Sequence, residues 1–198
     1  MNERIGRLLA QMTAVEDELR TALHEQETRV LYRIHGKRIE FEEAVRARHA
    51  RMRRGWLRWV SEIRPQDLLT VPFIYGMIVP LALLDLCLTL YQAACFPIYG
   101  IGRVPRRGYI VVDRHHLGYL NGIEKLHCMY CSYANGLFAW AREIAARTEQ
   151  YWCPIKHARK VLGSHARYAR FLDYGDAEDY PARLQALRAR LQAEQHEA

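Results

Sequence analysis

The hydrophobic positions of this chain fall into three successive regimes. In the first, residues 1–64, Ile5, Leu8, Met12, Val15, Leu19 and Ala22 recur in steps of three and four, the seam of a heptad helix. The register blurs after Glu25, and Leu31, Ile34, Ile39 and Phe41 continue as a weaker helical stripe with His35-Gly36 as the turn. The spacing predicts an N-terminal helical hairpin or a self-associating coiled coil. Arg51 to Arg64 is strongly basic, with Trp56 and Trp59 interleaved. Aromatic rings beside arginines ahead of an apolar stretch suit an interfacial anchor, and equally a helix end with two core tryptophans.

The second regime, 65–101, is apolar. From Leu68 to Ile101 the only acid or base is Asp85, apart from weakly ionising Cys and Tyr. About 20 helical residues cross a hydrocarbon core of about 30 Å, so the run is long enough to span. Pro80 and Asp85 interrupt it, however, and both flanks are basic: Arg51-Met-Arg-Arg before, Arg103-Val-Pro-Arg-Arg after. Positive residues favour one face of a membrane, so two basic flanks predict a shallow hairpin bending near Pro80 and Asp85. A buried core hairpin of a soluble protein fits the same pattern.

The third regime, 102–198, returns to mixed polarity. Tyr109 to Val112 reads as a short strand, Leu117–Cys131 and Leu137–Trp152 as two helices, and Asn135-Gly136 as the turn between them. Cys153-Pro154 breaks the second helix. Asp173 to Tyr180 is an acidic loop, after which Pro181 opens a terminal helix with Leu184, Leu187 and Leu191 on one side. The fold class is therefore mainly α: an amphipathic helical segment, a membrane hairpin and a small helical Cys/His domain.

Charge sharpens the membrane reading. The formal charge is +7, carried on the flanks and mostly by Arg, which suits lipid phosphates. No nucleic-acid motif accompanies it, so no nucleic-acid partner is expected. A charged, helical N-terminus is not a secretory signal. The 5 cysteines show no secreted disulfide spacing. Cys87 and Cys95 lie in the apolar run as small hydrophobes.

The remaining cysteines carry the chemistry. Cys128 and Cys131 stand in Cys-x2-Cys, and Cys153 and His157 in Cys-x3-His. Residues three or four apart share a helix face, so a hairpin turning at Asn135-Gly136 would close three thiolates and one imidazole around Zn, or alternatively Fe. A closed four-ligand set implies a structural site rather than a catalytic one. A redox-active dithiol and inert packed thiols are the alternatives. Glu149, on the face of Cys153, is a candidate to orient His157. Glu124, in Glu124-x-x-His127, is a second one, although no second Glu-x-x-His completes a di-iron site. His115 and His116 are candidate ligands or phosphate contacts. No nucleophile constellation and no Gly-rich phosphate loop is present.

Tyr119-Leu-Asn-Gly-Ile-Glu-Lys, Cys128-Met-Tyr-Cys-Ser-Tyr-Ala-Asn-Gly136 and Arg142-Glu-Ile-Ala-Ala-Arg-Thr-Glu-Gln-Tyr-Trp-Cys-Pro-Ile-Lys-His157 resemble a group of small bacterial proteins that carry an apolar segment before this block. The resemblance covers roughly 71–180. It implies a bacterial membrane setting and supplies neither an activity nor a catalytic residue. The expected protein is a cytoplasm-facing, inner-membrane adaptor or assembly factor with a Cys3His staple, its N-terminal helices recruiting a partner or a second copy. The alternative is a membrane-bound metal- or thiol-dependent oxidoreductase or hydrolase.

Overall fold

The computed structural model describes residues 61–194 and 43–53, residue 55, two strands at 32–35 and 38–41, and the single positions 11, 14, 15, 18, 19, 21, 22 and 25. Those single positions are all helical, and Val15 and Leu19 of the seam are exposed there. Ala22 is exposed as well, whereas Ile5, Leu8 and Met12 of the seam, with Trp56 and Trp59, lie outside the described residues. The protein is mainly helical, and it divides into two compact units: Met1–Glu62 with Asp113–Met129, and Ile63–Val112 with Tyr130–Ala198. The apolar run and most of the C-terminal part thus belong to one unit.

In the first unit, β1 (Tyr32–His35) pairs antiparallel with β2 (Arg38–Phe41), Tyr32 opposite Phe41 and His35 opposite Arg38. A weak helical stripe was expected here. Ile34 and Ile39 instead lie opposite each other across a hairpin, a use of β-branched residues that three-and-four spacing does not distinguish. Helix α1 (Glu43–Met52) follows. Its His49 ring meets Phe41 and Tyr119 edge-on, both at 5.1 Å.

The second unit is built on two long helices. α2 (Pro65–Gly76) starts with proline in its first turn, and α3 runs Ile78–Tyr99. Met77 joins them in right-handed helical conformation, so the chain does not reverse at Pro80 and Asp85, and the expected hairpin is replaced by a rod of two consecutive helices with a one-residue break at Met77. The reason is positional. Pro80 stands in the first turn of α3, where a missing N–H breaks no intrahelical bond. The real reversal comes at Gly100, which adopts left-handed φ 65. Gly100 N–H donates to Pro97 O at 3.2 Å and Ile101 N–H to Phe96 O at 2.9 Å, a paired cap that closes the helix end.

Beyond Gly100 the chain returns along α3 as an irregular segment with a 3-10 turn at Arg106–Gly108, and a second such turn follows at Arg114–His116. Tyr109 to Val112 is not a strand among the described elements. α4 (Gly122–Trp152) then runs unbroken for 31 residues, and α5 (Tyr180–Ala193) closes the unit. Phe96, Ile101, Val104, Leu137, Trp140, Ile144 and Leu191 form the core with Leu81. Each such side chain contributes roughly 1.5–3 kcal/mol by leaving water.

Candidate functional site

The structure does not assemble the Cys/His set, and the reason lies at Asn135-Gly136. Both residues sit inside α4. A Cβ at Gly136 would lie 2.6 Å from Tyr109 O and 2.8 Å from Ile110 Cα, so this glycine is where the returning segment presses on the helix. The Asn135 amide donates to Cys131 O one turn back, at 2.9 Å. With no turn, Cys131 and Cys153 are separated along the axis by 22 residues, roughly 33 Å at helical rise. Cys131, Cys153 and His157 are exposed, Cys128 half-buried.

The second pair is separated too. α4 ends at Trp152, and residues after Cys153 enter a short parallel bridge between Ile155 and Leu172. Lys156 N–H donates to Leu172 O at 2.7 Å. His157 lies beyond this bridge, its N–H bonded to the Tyr168 hydroxyl at 2.7 Å. Among the described residues, no group of three or more His, Cys, Asp or Glu side chains is arranged to hold a metal ion.

The two candidate orienting carboxylates have other partners. Glu149 Oε2 lies 2.9 Å from Nε2 of His165, not His157. Glu124 completes a capping box for α4: its carboxylate accepts the Asn121 N–H, while Asn121 Oδ1 accepts the N–H groups of Ile123 and Glu124, all at 2.9 Å. Its spacing to His127 therefore reflects a helix start. The His115 and His116 rings lie against each other at 3.9 Å, tilted by 39°.

What the structure does assemble is a polar seam beneath the apolar helix. Asp85 is 8% exposed and Gln92 4%, although both belong to the apolar run. Arg106 donates to Asp85 Oδ2 at 2.5 Å, and the Tyr133 hydroxyl at 2.8 Å. Gln92 Oε1 accepts the Val104 N–H at 2.7 Å, and Tyr91 bonds Thr148 at 2.9 Å. Trp140 Nε1 donates to Val104 O at 3.1 Å, and the Arg106 guanidinium lies 5.8 Å from the Trp140 ring centroid. Burial, and then the bond to Asp85, push the Tyr133 phenol above its ordinary pKa. Asp85 and Gln92 are two turns apart on one helix face, a spacing that could have revealed the seam. Arg106 and Tyr133 lie far away in sequence and left no such signal.

The opposite face of α3 inverts the usual arrangement. Val79, Leu83, Leu86, Leu90 and Ile98 are exposed, as are Ala82, Cys87, Ala93 and Ala94. The polar exception, Thr89, turns its hydroxyl back to Asp85 O at 2.8 Å. On α2, Leu68, Leu69, Phe73 and Ile74 are exposed as well. Pro65–Tyr99 as a whole is 35 residues, long and apolar enough to cross a membrane, and its most apolar stretch is 6% buried. A soluble core helix would be mostly covered.

A second polar cluster lies toward the C-terminus. Arg167 binds Glu143 and Glu194 at 2.9 and 2.8 Å, and Arg147 also binds Glu143 at 2.9 Å. Burial pushes the Glu143 carboxyl up, but hydrogen bonds from Arg147 and Arg167 outweigh it and hold the group below the usual range. Burial likewise opposes the charge on Arg167, and Glu194 and Glu143 restore it. Glu143, Arg167 and Glu194 line an open cleft of about 460 Å³ with Ala166 and Arg170. With Arg147, Arg167 and Arg170 all paired to Glu143 or Glu194, the cluster reads as a fastening for α5. Comparison with known proteins adds nothing to this geometry: no family model, curated protein or solved structure matches the chain.

Proposed function

We propose that this protein is a membrane-associated adaptor or assembly platform, with the outward face of α2 and α3 embedded in lipid. The observation that supports the reading is the inverted polarity of α3. Its polar side chains, Asp85 and Gln92, turn into the protein, while its apolar side chains face outward. Water disfavours both halves of that arrangement, and hydrocarbon favours both. The exposed seam residues Val15 and Leu19 suit recruitment of a partner or a second copy. The resemblance to bacterial membrane proteins and the basic flanks favour the cytoplasmic side of an inner membrane.

The adaptor role rests here on the buried polar seam rather than on a Cys3His staple. Flotation of the full chain with phospholipid vesicles tests it. The protein is expected to rise with the vesicles and to lose that behaviour when Leu83 and Leu90 are both replaced by Glu. A wild-type chain that stays soluble and monomeric beside the vesicles would remove the proposal.

A further inference from the structure

We infer that the α2–α3 rod does not cross the bilayer but lies in the plane of one leaflet, with the arginines of the returning segment on headgroup phosphates. The inference rests on the membrane reading above and adds orientation and lipid class to it. Three observations within the second unit carry it.

The first is length. The 35 residues of Pro65–Tyr99 extend roughly 52 Å at helical rise, against a hydrocarbon core of about 30 Å. Fitting the whole rod into that thickness requires a tilt of about 55°, beyond the range of about 0–40° that spanning helices adopt.

The second is the neighbour of the rod. Tyr130 of α4 donates to Ile74 O at 2.6 Å, Tyr133 meets Asp85, Thr148 meets Tyr91, and Tyr151 stacks on Tyr99 at 4.9 Å. Contacts ascend in the same order on both helices, so α4 runs alongside the rod in the same direction. Arg142 is exposed on α4, and its guanidinium donates to Gly163 O at 2.6 Å rather than to any residue of the rod. A two-layer unit with one apolar outer face and one charged outer face matches a membrane surface. A bilayer surrounding it on all sides would have to accept the charged layer.

The third is the returning segment. Arg103 donates to Ala93 O at 3.4 Å, a carbonyl left free because Pro97 has no N–H to offer it. Arg106 reaches Asp85 with its side chain still 47% exposed, and Arg107 is exposed. Arg103 and Arg106 flank α3 between Ala93 and Asp85, and Arg107 follows Arg106 in the same segment. In a transmembrane placement of this stretch they would stand in hydrocarbon, where Arg is costly. In the leaflet plane they stand at the margin of the apolar face, where long side chains reach phosphates.

The test uses the full chain with vesicles of phosphatidylcholine alone and of phosphatidylcholine with phosphatidylglycerol. Polarised attenuated-total-reflection infrared spectra of the bound protein on a supported bilayer report helix orientation, because α2, α3 and α4 dominate the amide I signal of the second unit. A transition moment lying in the membrane plane is expected. Bound protein with its moment along the membrane normal overturns the in-plane inference and leaves the membrane reading intact. Absence of vesicle binding overturns both. Replacing Arg103 and Arg107 by Ala is expected to weaken binding to the phosphatidylglycerol vesicles by about tenfold or more, with binding to phosphatidylcholine unchanged. Equal affinity of variant and wild type for the anionic vesicles overturns the headgroup contact.

Discussion

Helices α3 and α4 pack against one core and are opposites. α4 is an ordinary amphipathic helix: Leu137, Trp140 and Ile144 are buried, and Arg142 is exposed at the surface. α3 buries Asp85 and Gln92 among its four buried residues, and exposes Val79, Leu83, Leu86, Leu90 and Ile98. Two helices that share a core and differ in outer face must meet different surroundings. The lesson is that a helix's environment is read from what it leaves outside, not from how apolar it is overall.

The strongest way to break the comparison is to make the outer face of α3 resemble that of α4. Each apolar side chain transferred from water to hydrocarbon is worth roughly 1.5–3 kcal/mol. Leu83→Glu with Leu90→Glu is therefore expected to lower vesicle partition by about two orders of magnitude or more in a flotation assay. Arg142→Glu with Ala145→Glu on the outer face of α4 should leave partition nearly unchanged. Equal losses from both double variants would mean that the two faces are equivalent.

Next in size is the close approach of the returning segment to α4 at Gly136. Gly136→Ala would place a methyl group 2.6 Å from Tyr109 O, and overpacking of this kind costs about 1–3 kcal/mol. Thermal denaturation should show a lower Tm, by roughly 2–4 °C for each kcal/mol lost. An unchanged Tm would show that the returning segment yields freely.

The polar seam comes third. Asp85→Ala removes the acceptor for Arg106 and Tyr133, and leaving such donors unpaired costs about 1–3 kcal/mol. Because Arg106 is nearly half exposed, it can turn to water, which places the loss at the lower end of that range. Asp85→Asn should recover part of it. Denaturant unfolding of the three proteins ranks them, and Asp85→Ala as stable as wild type would leave the seam without a structural role.

A smaller effect is expected with pH. The Glu143 carboxyl lies below its ordinary range in the folded protein, so folding favours its ionised form. Its contribution is fully present above the unfolded carboxylate pKa and is lost as pH falls through the lowered folded value. Tm should drop on acidification from neutral toward about pH 3, and Glu143→Gln should flatten that part of the profile while lowering Tm at neutral pH. Parallel profiles for the two proteins would assign the acid sensitivity elsewhere.

The smallest expected effect is that of a chelator. With Cys131 and Cys153 at distant points of one helix, removal of Zn should leave Tm where it was. A fall in Tm on chelation, with stoichiometric Zn in the purified protein, would restore a metal-stapled fold.

How much of this was legible in the sequence depends on the range of the interactions involved. The apolar run, its acid at Asp85, the end of α4 at Trp152 and the start of α5 near Pro181 were all readable, because each is fixed by residues within a turn or two. The hairpin at Pro80 was misread because proline ends a helix in one position and begins one in another. The short break comes earlier, at Met77, directly after Gly76 at the end of α2. The turn at Asn135-Gly136 failed for a longer-range reason: that glycine answers to Tyr109 and Ile110, 27 and 26 residues earlier. Without that turn the structure does not bring the Cys/His set together, and Glu149 and Glu124 instead meet His165 and the α4 cap.

The sequence by itself determined that the chain is mainly helical and that one long segment avoids charge, since helix period and composition are local properties. Tertiary structure alone decided which face of that segment turns inward and which side chains meet Asp85. A buried carboxylate takes its donors from wherever the fold brings them, here a returning loop and a second helix. Period and spacing carry no record of such partners.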